Sequence, residues 1–431
     1  MAEPVLRGPR PGRLAGAVDR AREGALVGLQ RYLDTHSEQL LGGLRDRRPI
    51  LSLGRMVFVT RREDVLAVLR DTTGTFASPY RRRLKGPFVL GQDGAEHARS
   101  RAEIRAVLEP EDLALVAELT ARSAQRRVDD AVRGGALDVG TDLVHPVLHS
   151  VVADYAGLCG VSASVLLAWA RDIFQDLFLD VPGLPPTVRR RAERAGAEMD
   201  AYLDGLLAAR RADPGDDLLS RMLLRQRAAP ETAFDDAAIK DNLTGIAIPW
   251  IWQSSKAALL AVDGLVDRPA ALAQARDAAE RGDGEGVRRV LWEVLRHRPV
   301  QPGLLRICRR PTTLAAGTPR QTRIRRGTVV FASTQSAMWD ETAVPDPGRF
   351  DPTRPEEQYL NFGDGPHRCL GEQLMRVQLP ALLMPLLTSG PIRHSGGRAG
   401  RLRWCGPHPD GLRVDLGAGD DLVDGGQGPG R

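Results

Sequence analysis

Phe362-Gly363-Asp364-Gly365-Pro366-His367-Arg368-Cys369-Leu370-Gly371 is the stretch on which the reading of this chain turns. Gly363 and Gly365 permit backbone conformations closed to residues with a Cβ. Pro366 stiffens the turn that follows. A helix is expected after Gly371, so the loop presents one thiol from just before a helix start. The dipole and free N–H groups there favour negative sulfur. They also temper how strongly such a sulfur donates to a metal. Gly371 leaves room for a flat ligand to approach the helix start. Any one of these residues alone reads as an ordinary turn around a buried cysteine; the whole set at this spacing does not.

The segment resembles the haem-binding loop of the cytochrome P450 superfamily, Phe-Gly-x-Gly-x-His-x-Cys-x-Gly, and meets every fixed position. The resemblance implies a mainly α fold with small β-sheets, a haem b lying between a long central helix and the Cys loop. It implies that Cys369 is the axial iron ligand, a thiolate that donates electron density and favours O–O cleavage. It assigns Phe362 to shielding the sulfur and His367 to a haem propionate.

Working outward, Glu293-Val294-Leu295-Arg296 resembles the family's Glu-x-x-Arg pair, and Pro352-Thr353-Arg354 its third, Pro-x-Arg member. An i,i+3 spacing puts Glu293 and Arg296 on one helical face. These are fold-stabilising residues. His97 and Arg101, at i,i+4, resemble the His-x-x-x-Arg of bacterial members, and Arg306 another propionate-binding arginine. Together they supply cationic partners for two buried carboxylates.

The rest of the chain fits an enzyme of this kind. Its 431 residues carry 60 basic and 55 acidic groups, interleaved almost everywhere, which argues against nucleic-acid binding. Cys159, Cys308, Cys369 and Cys405 form no disulfide framework or CxxC pair, which favours a reducing, cytoplasmic setting. Neither a signal peptide nor a membrane-spanning run is visible, so a soluble protein of the bacterial branch is expected. Helical spacing is read over Arg10 to Tyr32. A strand is read at Val57 to Val59. A capping box of Thr60 and Glu63 is read before a helix through Leu69. From Ala95 to about Arg298 the pattern is mostly helical, and then short strands and turns take over. Residues 1–416 read as one catalytic domain and 417–431 as a disordered tail.

The central helix, expected from about Ala237 to Leu265, departs from the family. Monooxygenases there carry Ala/Gly-Gly-x-Asp/Glu-Thr-Thr/Ser, whose acid and alcohol deliver protons during oxygen activation. Here the stretch reads Pro249-Trp250-Ile251-Trp252-Gln253-Ser254, and no acid occurs between Asp241 and Asp263. Pro249 cannot donate the helical bond to the Gly245 carbonyl. Trp250 and Trp252 cannot share a helical face, so one of them is expected to face the haem. Gln253 and Ser254 can organise water but supply no acid.

On the substrate side, the loop 72–92 and the region from Phe174 to Pro186 are expected to cap the pocket, with Tyr80, Phe88, Phe174 and Phe178 as lining candidates. Arg81, Arg82, Arg83 and Lys85 are either a solvated run or an attraction for an acidic substrate. Arg368 and Arg376 are candidates for a basic face that docks a ferredoxin-type electron donor.

Function is therefore read as a haem-thiolate monooxygenase acting on a small organic molecule of secondary metabolism. The altered helix keeps open an enzyme that works without dioxygen, as a peroxygenase, in hydroperoxide rearrangement or in N–O and nitrogen-transfer chemistry. A non-enzymatic haem sensor is disfavoured by the complete loop and cap. Oligomeric state has no signature in the sequence.

Overall fold

The computed structural model describes residues 36–80, 88–178, 186–229, 234–406 and 408–417, with the isolated positions 24, 25, 28 and 32. Most of the expected helix at Arg10 to Tyr32, the Arg81 to Lys85 run, the Phe178 side chain and nearly all of the expected tail lie outside them.

The described chain opens with α1 (residues 36–47), β1 (Ile50–Leu53), β2 (Met56–Val59), α2 (Arg62–Leu69) and β3 (Phe76–Ala77). A helical stretch follows: α3 (Gly94–Ala106), α4 (Asp112–Gly134), the short β4 (Ala136–Asp138) and α5 (His145–Ala156). It continues with α6 (Ala163–Phe178), α7 (Pro186–Ala212), α8 (Leu218–Ala228), α9 (Asp236–Val266), α10 (Pro269–Glu280) and α11 (Gly284–His297). The remainder is β5 (Leu304–Cys308), β6 (Thr312–Leu314), β7 (Thr322–Ile324), β8 (Val329–Ala332), α12 (Thr334–Met338) and α13 (Glu372–Thr388). Four short strands close it: β9 (Ile392–His394), β10 (Arg403–Cys405), β11 (His408–Gly411) and β12 (Arg413–Leu416).

Two sheets of three or more strands sit beside the helical body. One has the order β1-β2-β8-β5-β3, with only β2 and β8 parallel. Its strands alternate buried with half-buried residues, so Val57, Val59, Val330 and Ala332 turn inward onto Val65, Val68 and Leu69 of α2. The other is antiparallel, in the order β4-β12-β9. Two hairpins, β6-β7 and β10-β11, complete the β content.

The main core gathers around α9, which is buried on most of its circumference. A helix apolar nearly all round belongs in the middle of a large protein. It starts at the N-cap Asp235, whose side chain accepts from the Ala238 N–H at 2.7 Å. In α11, Val287, Val290, Leu291, Val294 and Leu295 recur at helical spacing and are all buried. Each such side chain contributes roughly 1.5–3 kcal/mol through burial.

The capping box expected at Thr60 does not form. The Thr60 hydroxyl instead donates to the Pro49 carbonyl at 2.9 Å, drawn back by the β1-β2 hairpin. The N-cap of α2 is Arg61, without a side-chain cap. The Arg62 N–H donates to Asp340, 278 residues away, at 2.8 Å. A tertiary carboxylate has taken the role that the local pattern offered to Thr60.

Candidate functional site

The Cys369 loop is braced against the end of α2. Gly363 and Gly365 adopt positive φ of 71° and 74°. At Gly365 the requirement is also spatial, since a Cβ there would lie 2.2 Å from the Leu69 carbonyl oxygen. Asp364 accepts from Nε and Nη2 along one edge of the Arg70 guanidinium at 3.1 and 3.0 Å. The Cys369 N–H closes the loop on the Phe362 carbonyl at 3.1 Å, and α13 begins three residues later. Phe362 stacks at a tilt on Trp292, ring centroids 5.5 Å apart.

Cys369 keeps an exposed surface although protein crowds it from all sides, because it opens into a cavity of about 1070 Å³. His97, Arg101, Gly365, Leu370 and Leu374 share that lining. Burial pushes the Cys369 thiol up, while the Gly371 and Glu372 N–H groups and the Arg101 charge pull it back. These are the helix-start donors that the sequence placed there.

Around the cysteine lies an excess of positive and donor groups. The His97 and His367 rings stack with centroids 4.2 Å apart, and His367 meets Asp93 at 3.2 Å. Burial first, then His367 and Arg101, push His97 down to about 4. Arg101 donates to the Arg368 carbonyl, and among the described residues it meets no carboxylate. Arg306 is buried and bonds the Leu305 carbonyl at 2.9 Å; among the described residues it has no ion pair. Burial pulls its guanidinium below the usual range, with Tyr80 and Asp93 opposing. A buried arginine without a carboxylate is costly, so this arrangement fits a flat ligand that carries its own carboxylates and meets a thiol. Haem is such a ligand. Arg306 and Phe362 do not share the lining of the Cys369 cavity.

The Glu-x-x-Arg pair assembles fully. Glu293 and Arg296 are both without solvent exposure and are joined by bonds of 2.7 and 2.9 Å. Glu293 also accepts from Arg354 Nε at 3.3 Å, from the Asp351 N–H at 2.9 Å and from the Tyr359 hydroxyl at 3.1 Å. Arg296 and Arg354 spend their remaining donors on the carbonyls of Met338, Pro345, Asp346 and Arg349.

The altered stretch of α9 turns its two tryptophans to different buried flanks. Accessible surface in the middle of α9 is confined to Gly245, Ile246, Pro249 and Gln253, and three of these are four residues apart on one face. Neither tryptophan lies on it. Trp250 is turned toward α13 and α5, donating to Gln378 at 2.7 Å and meeting Tyr155 edge-on at 5.7 Å. Ser254, one turn on, points the same way and lies 3.0 Å from the Met375 sulfur. Trp252 packs on the opposite flank against His408, centroids 5.0 Å apart. The polar tip of Trp250 found a buried acceptor on α13, and that fixes the helix's rotation. Pro249 and Gln253 therefore occupy the open face.

Phe88 is one lining candidate the structure places against α9. Its ring covers Gly245 so closely that a Cβ there would lie 1.8 Å from it. The Val89 N–H is tied to the Asn242 side chain at 3.0 Å. Phe174 is fully buried and meets His408 edge-on at 5.1 Å. Sequence reading missed His408, which reaches Gln253 at 3.2 Å from β11, 155 residues away. No local pattern signals a contact of that separation.

The basic face expected at Arg368 and Arg376 is largely neutralised. Arg368 pairs with both oxygens of Glu372, and Arg376 pairs with Glu356 and Glu372. Among the described residues no helix is long and apolar enough to cross a membrane.

A profile of the cytochrome P450 family matches residues 285–389, which hold the Glu293-Arg296 pair and the Cys369 loop. The erythromycin C-12 hydroxylase of Saccharopolyspora erythraea is 30% identical over 352 residues, 78% of this chain and 83% of that enzyme. The nocardicin C N-oxygenase of Nocardia uniformis is 29% identical, over 77% of this chain and 81% of its own length. A mutant of P450 EryK solved with erythromycin B superposes with a TM-score of 0.76 at 26% identity, covering 90% of this chain and 98% of that one. The chain belongs to the cytochrome P450 family. It is an oxidoreductase, and these relatives are a hydroxylase and an N-oxygenase.

Proposed function

We propose that Cys369 is the axial thiolate of a bound haem b. We propose further that residues 1–416 form one catalytic domain that inserts an oxygen atom into a small organic substrate. The observation that carries this is the accessible Cys369 thiol, deep in the molecule at the start of α13, facing a cavity shared with His97 and Arg101. When bound, haem supplies the oxidising chemistry.

The chain's own residues hold and shape that site. Arg306, Arg101 and His97 offer positive or donor groups to the two propionates. Asp93 fixes the His367 ring beside them. Gly365 and the Arg70–Asp364 pair set the height of the loop. Gly371 lies beside the sulfur, where a Cβ would stand at ordinary contact, 3.8 Å away. Phe88 lies against Gly245 at that end of α9.

A dioxygen-independent reaction is the second reading, favoured by the Gln253 amide on the open face of α9 where the family's alcohol would stand. Electrons for the first reading would come from a ferredoxin-type donor. One experiment separates the two. The purified haem protein is screened by absorption for substrates that drive the iron to high spin. Each hit is then turned over with a ferredoxin system under oxygen, or with peroxide or N-oxygenated compounds and no reductant. Electron-dependent product formation supports the monooxygenase. Product without electrons supports the alternative.

A further inference from the structure

We propose that one end of the five-stranded sheet is a peripheral docking surface for anionic lipid headgroups, with six arginines meeting the phosphates and Leu53 entering the acyl boundary. The proposal is independent of the haem reading of the cavity.

The sequence supplies the charge. Between Glu293 and Asp340 there is no aspartate or glutamate, and there are nine arginines. From Arg47 to Arg62, a stretch that includes the turn Leu53-Gly54-Arg55, there is no acid either.

The sheet gathers these residues at one end. β2 and β8 run parallel and both start there, Met56 opposite Val329. β5 runs the other way and finishes there, Ile307 opposite Val329. Arg55 therefore precedes β2, Arg325 and Arg326 lie before β8, and Arg309 and Arg310 follow β5. Backbone bonds tie these segments together. The Val329 N–H donates to the Arg55 carbonyl at 2.8 Å, and the Gly327 N–H to the Cys308 carbonyl at 2.7 Å. Arg323 lies on the β6-β7 hairpin, opposite Thr313. All six arginines are exposed.

Their charge is not cancelled. Among the described residues none of the six has an ion pair, and Arg310 donates to the Thr73 carbonyl. The acids that flank them are committed elsewhere. Asp71 accepts from the Thr73 and Phe76 N–H groups at 3.0 and 2.7 Å. Glu63 and Asp64 hold Arg320. Arg368 and Arg376, by contrast, are neutralised by their own glutamates. Uncompensated guanidinium groups on one sheet end repel one another, and a polyanionic surface relieves that repulsion.

Leu53 selects lipid over an acidic protein. At 57% it is the most exposed large hydrophobic side chain among the described residues, and it stands in the same turn as Arg55. Guanidinium pairs bidentately with phosphate, and an anionic leaflet attracts basic clusters close to it. An apolar side chain projecting from a cationic face enters the headgroup–acyl boundary. Among the described residues no helix is long and apolar enough to cross a membrane, so the contact is peripheral.

The test is sedimentation of the full chain with phosphatidylcholine vesicles, with and without phosphatidylglycerol, at low and high salt. Wild type should bind only the phosphatidylglycerol vesicles and be released by salt. Arg325→Glu combined with Arg326→Glu should weaken that binding about tenfold or more. Leu53→Ser should weaken it severalfold and leave the salt dependence in place. Arg398→Glu combined with Arg401→Glu changes net charge equally at exposed positions in the segment between β9 and β10, and should bind like wild type. Circular dichroism of each variant confirms its fold. A wild type that ignores phosphatidylglycerol overturns the proposal, and binding to poly-glutamate through the same arginines would then point to an acidic protein. Equal losses in the two charge-reversed pairs overturn the assignment to this sheet end. Unchanged binding in Leu53→Ser overturns the insertion.

Discussion

Glu293 and Arg296 face each other one helical turn apart with no solvent on either, bound through two hydrogen bonds. The pair is the hub that fastens α11 to the segment 338–359, which leads directly into the Cys369 loop. Buried ion pairs gain little over apolar packing, but breaking one strands a charge at a cost of about 3–5 kcal/mol. Glu293→Ala should therefore destabilise the protein by that order, because it leaves Arg296 and Arg354 without a carboxylate. Equilibrium denaturation checks this; a loss below about 1 kcal/mol would contradict the role assigned to the hub.

Gly365→Ala should be nearly as damaging for a different reason. The added methyl meets backbone, the Leu69 carbonyl, and the position holds a φ of 74°. Strain in such a conformation costs on the order of 1–3 kcal/mol before any clash is counted. The loop must rise from α2, so the variant should also bind haem more weakly than wild type. Gly396→Ala, with open space around its Cβ, is the control and should change neither stability nor haem content.

The class of the fold was legible because one loop and two helices carry dense local patterns. The thiol before α13, the i,i+3 pair of α11 and the i,i+4 pair of α3 each need only neighbours in sequence to be read. Bounds of the central helix came out within a residue or two for the same reason. Most of the failures are tertiary. Thr60 lost its capping role to Pro49 and Asp340. The rotation of α9 was set by Gln378 and His408, which no periodicity in α9 reveals. Arg368 and Arg376 are neutralised by Glu372, an i,i+4 neighbour of both that the sequence did show, and Arg376 also by Glu356, twenty residues away.

That rotation changes what an engineered α9 should do. Trp252→Glu, which would restore the family's acid by sequence register, puts a carboxylate at a buried position beside His408 and off the open face. It should lower the melting temperature markedly and not improve oxygen-dependent turnover. Gln253→Thr alone, on the open face, should fold well and shift the balance between electron-driven and peroxide-driven product. Equal product ratios in Gln253→Thr and wild type would show that this face does not touch the reaction.

His97 gives a pH prediction for the haem-free protein. Its ordinary value near 6.5 falls to about 4 in the folded chain. Between those values the unfolded chain binds more protons, so stability rises with pH. The contribution is full above about 6.5 and is lost as pH falls toward about 4. His97→Phe should flatten that part of the stability curve. Loading haem should do the same in wild type, since propionates beside His97 favour its charged form. A curve that is indifferent to both would contradict the placement of His97 beside the carboxylates.

The central claim is that Cys369 supplies the thiolate to a bound haem, and the carbon monoxide difference spectrum of the reduced protein tests it most directly. Wild type should give the strongly red-shifted carbonyl band of thiolate-ligated haem, and Cys369→Ala should lose it while still retaining its fold by circular dichroism. A red-shifted band that survives in Cys369→Ala, or a wild type whose band sits where nitrogen-ligated haem absorbs, would contradict the account.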